Sequence, residues 1–431
     1  MNSVAQKLKS ILSSSTIIPW EDAKVARKSE ISQAVTPSTT VDCLVYPDTL
    51  EELALVMTFA QQQRSRVLPC GSGSKISWGG LVDGVNLVVS TERLNRLIDH
   101  AVGDLTVTVE AGMKFAELQK ILAQQGQFLP LDPAYPETAT IGGIVATASA
   151  GSWRQRYGGV RDMLLGLSFV RSDGQIAKAG GRVVKNVAGY DLMKLFTGSF
   201  GTLGIISQVT FRVYPLPEVS GTVVLIGTGE GIATATKTLL ASALTPTAVD
   251  LLSPTLVEKA NLGEGMGLIV RFQSVAASVK EQSARLLEVG QHLGLQGTIY
   301  SDADESKLWL LLQEQMWISP QDAAVTCKIG VVPSSSAAIL AEIPSLLCLI
   351  HAGSGLGVVR VNSTDVKPIL EMRSRLSSQG GFLTILEAPI ALKQQLDVWG
   401  YTGNALDLMR KIKTQFDPEN ILSPGRFVGG I

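Results

Sequence analysis

The sequence predicts an α+β protein of two or three domains, and three observations carry that expectation. Its 431 residues are roughly three times the usual size of a single domain. Hydrophobic residues reach 45% while charged residues stay at 17%, below the ~25% of an average soluble chain. That balance supports a large core and excludes a disordered chain. The texture also changes at Pro215-Leu216-Pro217. Before this point the chain is dense in glycine with short apolar runs; after it, strands alternate with helical stretches of about a dozen residues.

Composition removes several function classes. With 37 Lys+Arg against 38 Asp+Glu and a net charge of -1, the chain lacks the basic excess of a nucleic-acid protein. No apolar run reaches the ~18 residues of a membrane-spanning helix. Residues 337–350 come nearest and are broken by Glu342 and Pro344. The N-terminus has no basic segment leading into an apolar core, since serines interrupt residues 11–18, so no secretory signal is expected. Cys43, Cys70, Cys327 and Cys348 form no CxxC pair. They suggest neither a disulfide framework nor a zinc or iron–sulfur site, and no metal is expected. The expected compartment is the cytoplasm.

Taken in order, residues 1–36 read as a helical segment that loosens into Thr36-Pro37-Ser38-Thr39-Thr40. A strand at 43–46 is followed by a helix at 50–63, with Asp48 or Thr49 as N-cap and Glu51 and Glu52 in its first turn. A strand at 66–68 runs into PCGSGSK, residues 69–75. Strands are expected at 85–90 and 105–110, and a helix at 115–125 closed by Gly126. The glycine-dense stretch runs from 129 to 217, and the tail carries a helix at 404–416 before DPENILSPGRF.

Three segments carry chemistry. In PCGSGSK, two glycines separated by serine let the backbone turn sharply and aim successive amides at an anion, with Lys75 as counter-charge to a pyrophosphate. A plain Gly-Ser turn is the alternative. Residues 138–162, TATIGGIVATASAGSWRQRYGGVRD, offer a run of small residues that admits a flat ligand against the backbone, or simply a tightly packed strand and turn. Residues 180–206, GGRVVKNVAGYDLMKLFTGSFGTLGII, add a third such place.

PCGSGSK, TIGG, RYGGVRD, KNVAGYDL and GTLGII, in this order and spacing, resemble the FAD-binding domain of the vanillyl-alcohol oxidase/PCMH family. KNVAGYDLMKLFTGSFGTLGII and the closing FDPENILSPGRF are similar to the GlcE branch of the glycolate oxidases. The resemblance implies a PCMH-type FAD-binding domain of two α+β subdomains at residues 37–217. A smaller α+β domain resembling the FAD-linked oxidase C-terminal domain follows at 218–400, and residues 401–431 return to the FAD domain. Residue by residue, it implies that Cys70, Gly71, Ser72, Gly73, Ser74 and Lys75 hold the pyrophosphate. Thr140, Gly142, Gly143, Thr147 and Gly151 would line the central part of the cofactor, and Gly204 and Ile205 its adenine side. Arg156 and Tyr157 would lie in the flavin-proximal loop. Relatives that link flavin covalently use a histidine in the first glycine loop, whereas His100, His292 and His351 all lie elsewhere and Cys70 reads as a small strand-end residue. Non-covalent FAD is expected.

Two departures bear on activity. Catalytic relatives carry a motif resembling HAGDGNLH, where this chain has HAGSGLGV at residues 351–358. His351 is retained, but Ser354 and Val358 replace the acidic residue and the second histidine. Their EHGIG corresponds here to Glu387-Ala388-Pro389-Ile390-Ala391. Serine, valine and alanine neither bind a metal nor accept a hydroxyl proton at neutral pH. His351 therefore reads as a buried, hydrogen-bonded histidine, and no catalytic residue is assigned, with Glu387 and Tyr401 as the available substitutes.

The resemblance implies a flavoprotein subunit that takes part in oxidising a small 2-hydroxy acid, glycolate to glyoxylate. A D-type flavin subunit and an F-type iron–sulfur subunit are the implied partners, through which peripheral membrane association could arise. The alternatives are a non-catalytic FAD-binding scaffold and an independent FAD oxidase of unrelated substrate. IGTGEG at 226–231, with Asp250 downstream, imitates a dinucleotide fingerprint, but Ile232 stands where the third glycine belongs.

Overall fold

A computed structural model describes residues 4–12, 17–181, 189–317, 325–363 and 365–431. The chain forms two compact units. One comprises Met1–Ser149, Gly159–Pro215 and Asp397–Ile431; the other comprises Ala150–Gly158 and Leu216–Leu396.

The first unit contains a four-stranded sheet in the order Ile17–Pro19, Cys43–Val45, Val85–Ser90, Arg66–Cys70. The last three run parallel. Parallel strands need a crossover, and the helix Leu50–Gln63 supplies it. Thr49 caps that helix by accepting from the Glu52 amide at 3.1 Å, as expected from the sequence. Arg64, in the left-handed region at φ 50°, ends it. Its Leu53, Val56 and Met57 pack with Val45, Val67 and Leu87 of the sheet in one buried cluster. The strand Arg66–Cys70 therefore ends at the same edge as Val85–Ser90, and PCGSGSK emerges there.

A five-stranded sheet in the order Leu97–Ala101, Thr106–Glu110, Ile205–Arg212, Leu164–Val170, Ile176–Gly180 completes this unit's main framework. All its pairings are antiparallel. The last residues of the chain join the unit through a buried ion pair. Lys413 Nζ donates to Asp417 Oδ2 at 2.6 Å and to the carbonyls of Thr202 and Leu422 at 2.9 and 2.7 Å. Asp417 in turn accepts from the amides of Ile421 and Leu422. With its hydrogen-bonding capacity met this way, the pair escapes the desolvation cost of an isolated buried charge. Residues 421–423 then lie along Arg66–Cys70: the Val67 amide donates to Ile421 O at 2.7 Å, and Ser423 N donates back to Val67 O at 2.9 Å.

The second unit is built on eight strands in the order Gln296–Ser301, Val219–Gly227, Met266–Ser274, Ala248–Leu252, Leu347–His351, Leu356–Val361, Val325–Gly330, Phe382–Glu387. Every pairing is antiparallel. Leu308, Leu312 and Met316 of the helix Asp302–Trp317 cover one face, against Val224, Leu252, Ile269 and Leu349.

The structure departs from the sequence reading at element ends. Ile17–Pro19 forms a strand inside the segment expected to be helical, because it pairs with Cys43–Val45, a partner far along the chain. The strand expected from 105 begins at Thr106, since Leu105 takes a positive φ of 54°. The tail helix begins at Leu406 rather than 404. Within KNVAGYDL, residues 185–188 lie outside the described residues.

Candidate functional site

The first unit holds a cleft where the end of the parallel sheet, the helix Ile141–Thr147 and the residues before Ile205–Arg212 converge. Cys70, Gly71, Ser72, Gly73, Ser74 and Lys75 line it, together with Thr140, Gly142, Gly143, Thr147, Gly204 and Ile205. Three further residues expected at the site do not. Gly151, Arg156 and Tyr157 fall in Ala150–Gly158, which belongs to the second unit.

The glycine loop is held from behind. Arg27, on the helix Val25–Ser32, donates through Nη1 to Ser72 O at 2.7 Å and through Nη2 to Gly71 O at 3.0 Å. Ser90 Oγ also donates to Gly71 O at 3.2 Å, Ile76 N donates to Gly73 O at 2.9 Å, and Ser72 Oγ donates to Thr138 O at 2.5 Å. The carbonyls of Gly71, Ser72 and Gly73 are thereby occupied, while among the described residues no acceptor takes the amides of Ser72, Gly73 and Ser74. Consecutive unpaired amides on a tight turn make an anion-binding concavity.

Two glycines let the loop pack this closely. A Cβ on Gly71 would run into Thr140 Oγ1, and one on Gly73 into Arg27 Nη1. Gly73 also has φ +90°, a conformation that L side chains rarely adopt. Such a loop fits a diphosphate carried by a larger ligand, because the walls around it are small residues: Gly142, Gly143, Ala146 and Gly201.

Lys75 is buried, with Nζ 3.4 Å from Ala134 O and 6.0 Å from the centre of the Trp78 ring. Burial pushes the Cys70 thiol above its ordinary value against the pull of Arg27, whose Nη2 lies 3.3 Å from Sγ. A thiol held protonated is a poor nucleophile, which disfavours a covalent bond from Cys70 to flavin. Precipitating the purified yellow protein with acid should leave all the flavin in the supernatant. Colour retained by the washed, denatured polypeptide would contradict this.

In the second unit, His351 ends the strand Leu347–His351 and faces Asp250 across the sheet register. Its Nδ1 lies 2.6 Å from Asp250 Oδ1, and Asp250 is fully buried. His351 is thus tied into the sheet, and Asp250 serves that pair rather than a dinucleotide. Val358 sits opposite Leu349 and Lys328 in the register, and Glu387 accepts from Thr326 Oγ1 at 3.3 Å. Tyr401 Oη accepts from the Ala405 amide at 3.0 Å. Among the described residues, no group of three or more His, Cys, Asp or Glu gathers as a metal site.

Arg27 and Arg426 escaped the sequence reading. Arg27 carries no local signal at all, while Arg426 belongs to SPGRF, which reads in sequence only as a closing turn.

Comparison with known proteins agrees with this geometry. Residues 41–180 match the FAD binding domain model, and residues 398–427 match the FAD linked oxidases, C-terminal domain. The chain is 27% identical to the mitochondrial D-lactate dehydrogenase [cytochrome] of Arabidopsis thaliana, over 90% of this chain and 73% of that protein. It is 27% identical to glycolate oxidase subunit GlcD of Bacillus subtilis (strain 168), over 89% of this chain and 88% of that one. Likeness to glycolate oxidase subunit GlcE of Escherichia coli (strain K12) is higher, 38%, but spans 35% of this chain and 43% of that one. Among solved structures, p-cresol methylhydroxylase with substrate bound superposes with a TM-score of 0.78, covering 98% of this chain and 95% of that one at 16% identity. The chain is an FAD-dependent oxidoreductase with a PCMH-type FAD-binding domain and a C-terminal segment of the FAD-linked oxidases.

Proposed function

We propose that this chain is the GlcE-like, FAD-holding member of a multi-subunit enzyme that oxidises a small 2-hydroxy acid, glycolate to glyoxylate. One contrast carries the reading. The cofactor cleft is lined by the glycine loop and small residues, while Val358 and Ala388 stand at the positions matching the histidines of the catalytic motifs and leave His351 without those companions. FAD, when bound, supplies an acceptor for the substrate's hydride. In this reading the amides of residues 72–74 and the small-residue walls orient it non-covalently, with the diphosphate against Cys70 through Lys75. The hydroxyl proton needs a base, which typically contributes about 10²–10⁴-fold, and a D-type flavin subunit would supply it. An F-type iron–sulfur subunit would carry electrons onward, since the four cysteines here are dispersed.

Support comes from relatives named for D-lactate and glycolate, two acids of the same class. No helix among the described residues is long and apolar enough to cross a membrane. The experiment is co-expression of the tagged chain with candidate D-type and F-type subunits, followed by dye reduction with glycolate and D-lactate. Activity should require the assembled complex and should travel with the tag. Full turnover by the D-type subunit with this chain omitted would contradict the proposal.

A further inference from the structure

A buried cation shares the cleft with the unpaired amides of the glycine loop. Arg426 lines the same cleft and is 5% exposed. Its backbone is pinned on both sides. Arg426 O accepts from Gly80 N at 2.9 Å and from Trp399 Nε1 at 3.1 Å, and Asp83 N donates to Pro424 O at 3.0 Å. Its side chain makes one hydrogen bond, from Nη2 to Ile76 O at 2.5 Å. Nε and Nη1 are buried without any acceptor, and among the described residues no Asp or Glu pairs with the guanidinium. Two other cations of this unit have carboxylates beside them: Arg27 has Glu30 at 3.0 Å, and Lys413 has Asp417 at 2.6 Å.

A buried guanidinium with free donors and no carboxylate is costly unless an anion completes it. Burial draws its ionisation down to about 10, which still leaves it charged at neutral pH. We infer that Arg426 is the residue that neutralises the cofactor's diphosphate, delivered from the chain's C-terminal segment to the glycine loop. This rests on the cleft being the FAD site. It assigns to SPGRF a binding role, and it moves the counter-charge from Lys75, whose amine is turned to Ala134 O and the Trp78 ring, to a residue 350 positions beyond Ile76. The free N–H groups on Nε and Nη1 can donate to separate phosphate oxygens, which suits a diphosphate better than a single ammonium does.

The test uses the full chain, stripped of flavin, with FAD, ADP and riboflavin as probes. Wild type should bind FAD and be stabilised against heat by ADP. Arg426→Met should weaken FAD and ADP at least 100-fold and leave riboflavin, which has no phosphate, within threefold. The flavin-free Arg426→Met chain should melt no lower than wild type, because an uncompensated buried charge has gone. Arg426→Lys, which keeps the charge, should retain more FAD affinity than Arg426→Met. Equal FAD and ADP affinity in wild type and Arg426→Met would overturn the assignment, as would a flavin-free variant much less stable than wild type. A wild-type chain that takes up neither FAD nor ADP would instead overturn the reading of the cleft.

Discussion

Gly73→Val should weaken FAD binding by about 10²–10⁴-fold while leaving the second unit folded. The position has φ +90°, so a β-branched residue is strained there whatever space surrounds it. The space is also taken, because the new Cβ would collide with Arg27 Nη1. That nitrogen donates to Ser72 O and pairs with Glu30, so displacing it unfastens the loop from the helix behind it. Backbone strain of about 1–3 kcal/mol and loss of a charge-assisted hydrogen bond worth about 1.5–3 kcal/mol add to roughly 3–6 kcal/mol. Set against cofactor binding, that lowers the affinity by about 10²–10⁴-fold. Gly103→Ala is the control, since a Cβ there meets nothing within 4 Å. Flavin titration of both variants, with circular dichroism as the folding check, decides the matter. Full flavin occupancy in Gly73→Val would reduce PCGSGSK to an ordinary turn.

Much of the framework is legible where local chemistry fixes it. The helix Leu50–Gln63 has its cap at Thr49 and acidic residues in its first turn, and the strand Val85–Ser90 is a plain apolar run between turn signals. PCGSGSK could be read as an anion loop because two glycines at that spacing state a backbone requirement in the sequence itself. Other features depend on partners far along the chain. Ile17–Pro19 becomes a strand only by pairing with Cys43–Val45. Arg27 holds the glycine loop from 45 residues away, through the Nη1 bond to Ser72 O, and no periodicity announces it. Arg426 looks like part of a turn until the fold lays residues 421–423 along Arg66–Cys70. Arg156 and Tyr157, expected in a flavin-proximal loop, lie on the short helix Arg154–Tyr157, which groups with the second unit.

Likeness to D-lactate dehydrogenase and GlcD over most of the chain supports the oxidoreductase, and the GlcE likeness spans only part of it. What distinguishes a flavin-holding chain from one that also turns over substrate is a base at the substrate hydroxyl. Neither Val358 nor Ala388 offers one; Tyr401 Oη accepts from the Ala405 amide and one Glu387 oxygen accepts from Thr326, so these two remain the available substitutes. His351 turns Nδ1 to Asp250 and stands without the companion histidines of the catalytic motifs.

The most direct measurement mixes the isolated, FAD-loaded chain with excess glycolate under strictly anaerobic conditions and follows the blue absorption band of the flavin. Without a base the step should lose the ~10²–10⁴-fold that proton transfer contributes, so the band should persist over a time in which the proposed complex would bleach it completely. Adding dithionite at the end should bleach it at once, which verifies that the flavin is reducible. Prompt bleaching by glycolate with no other subunit present would contradict the account and assign an intact substrate site to this chain.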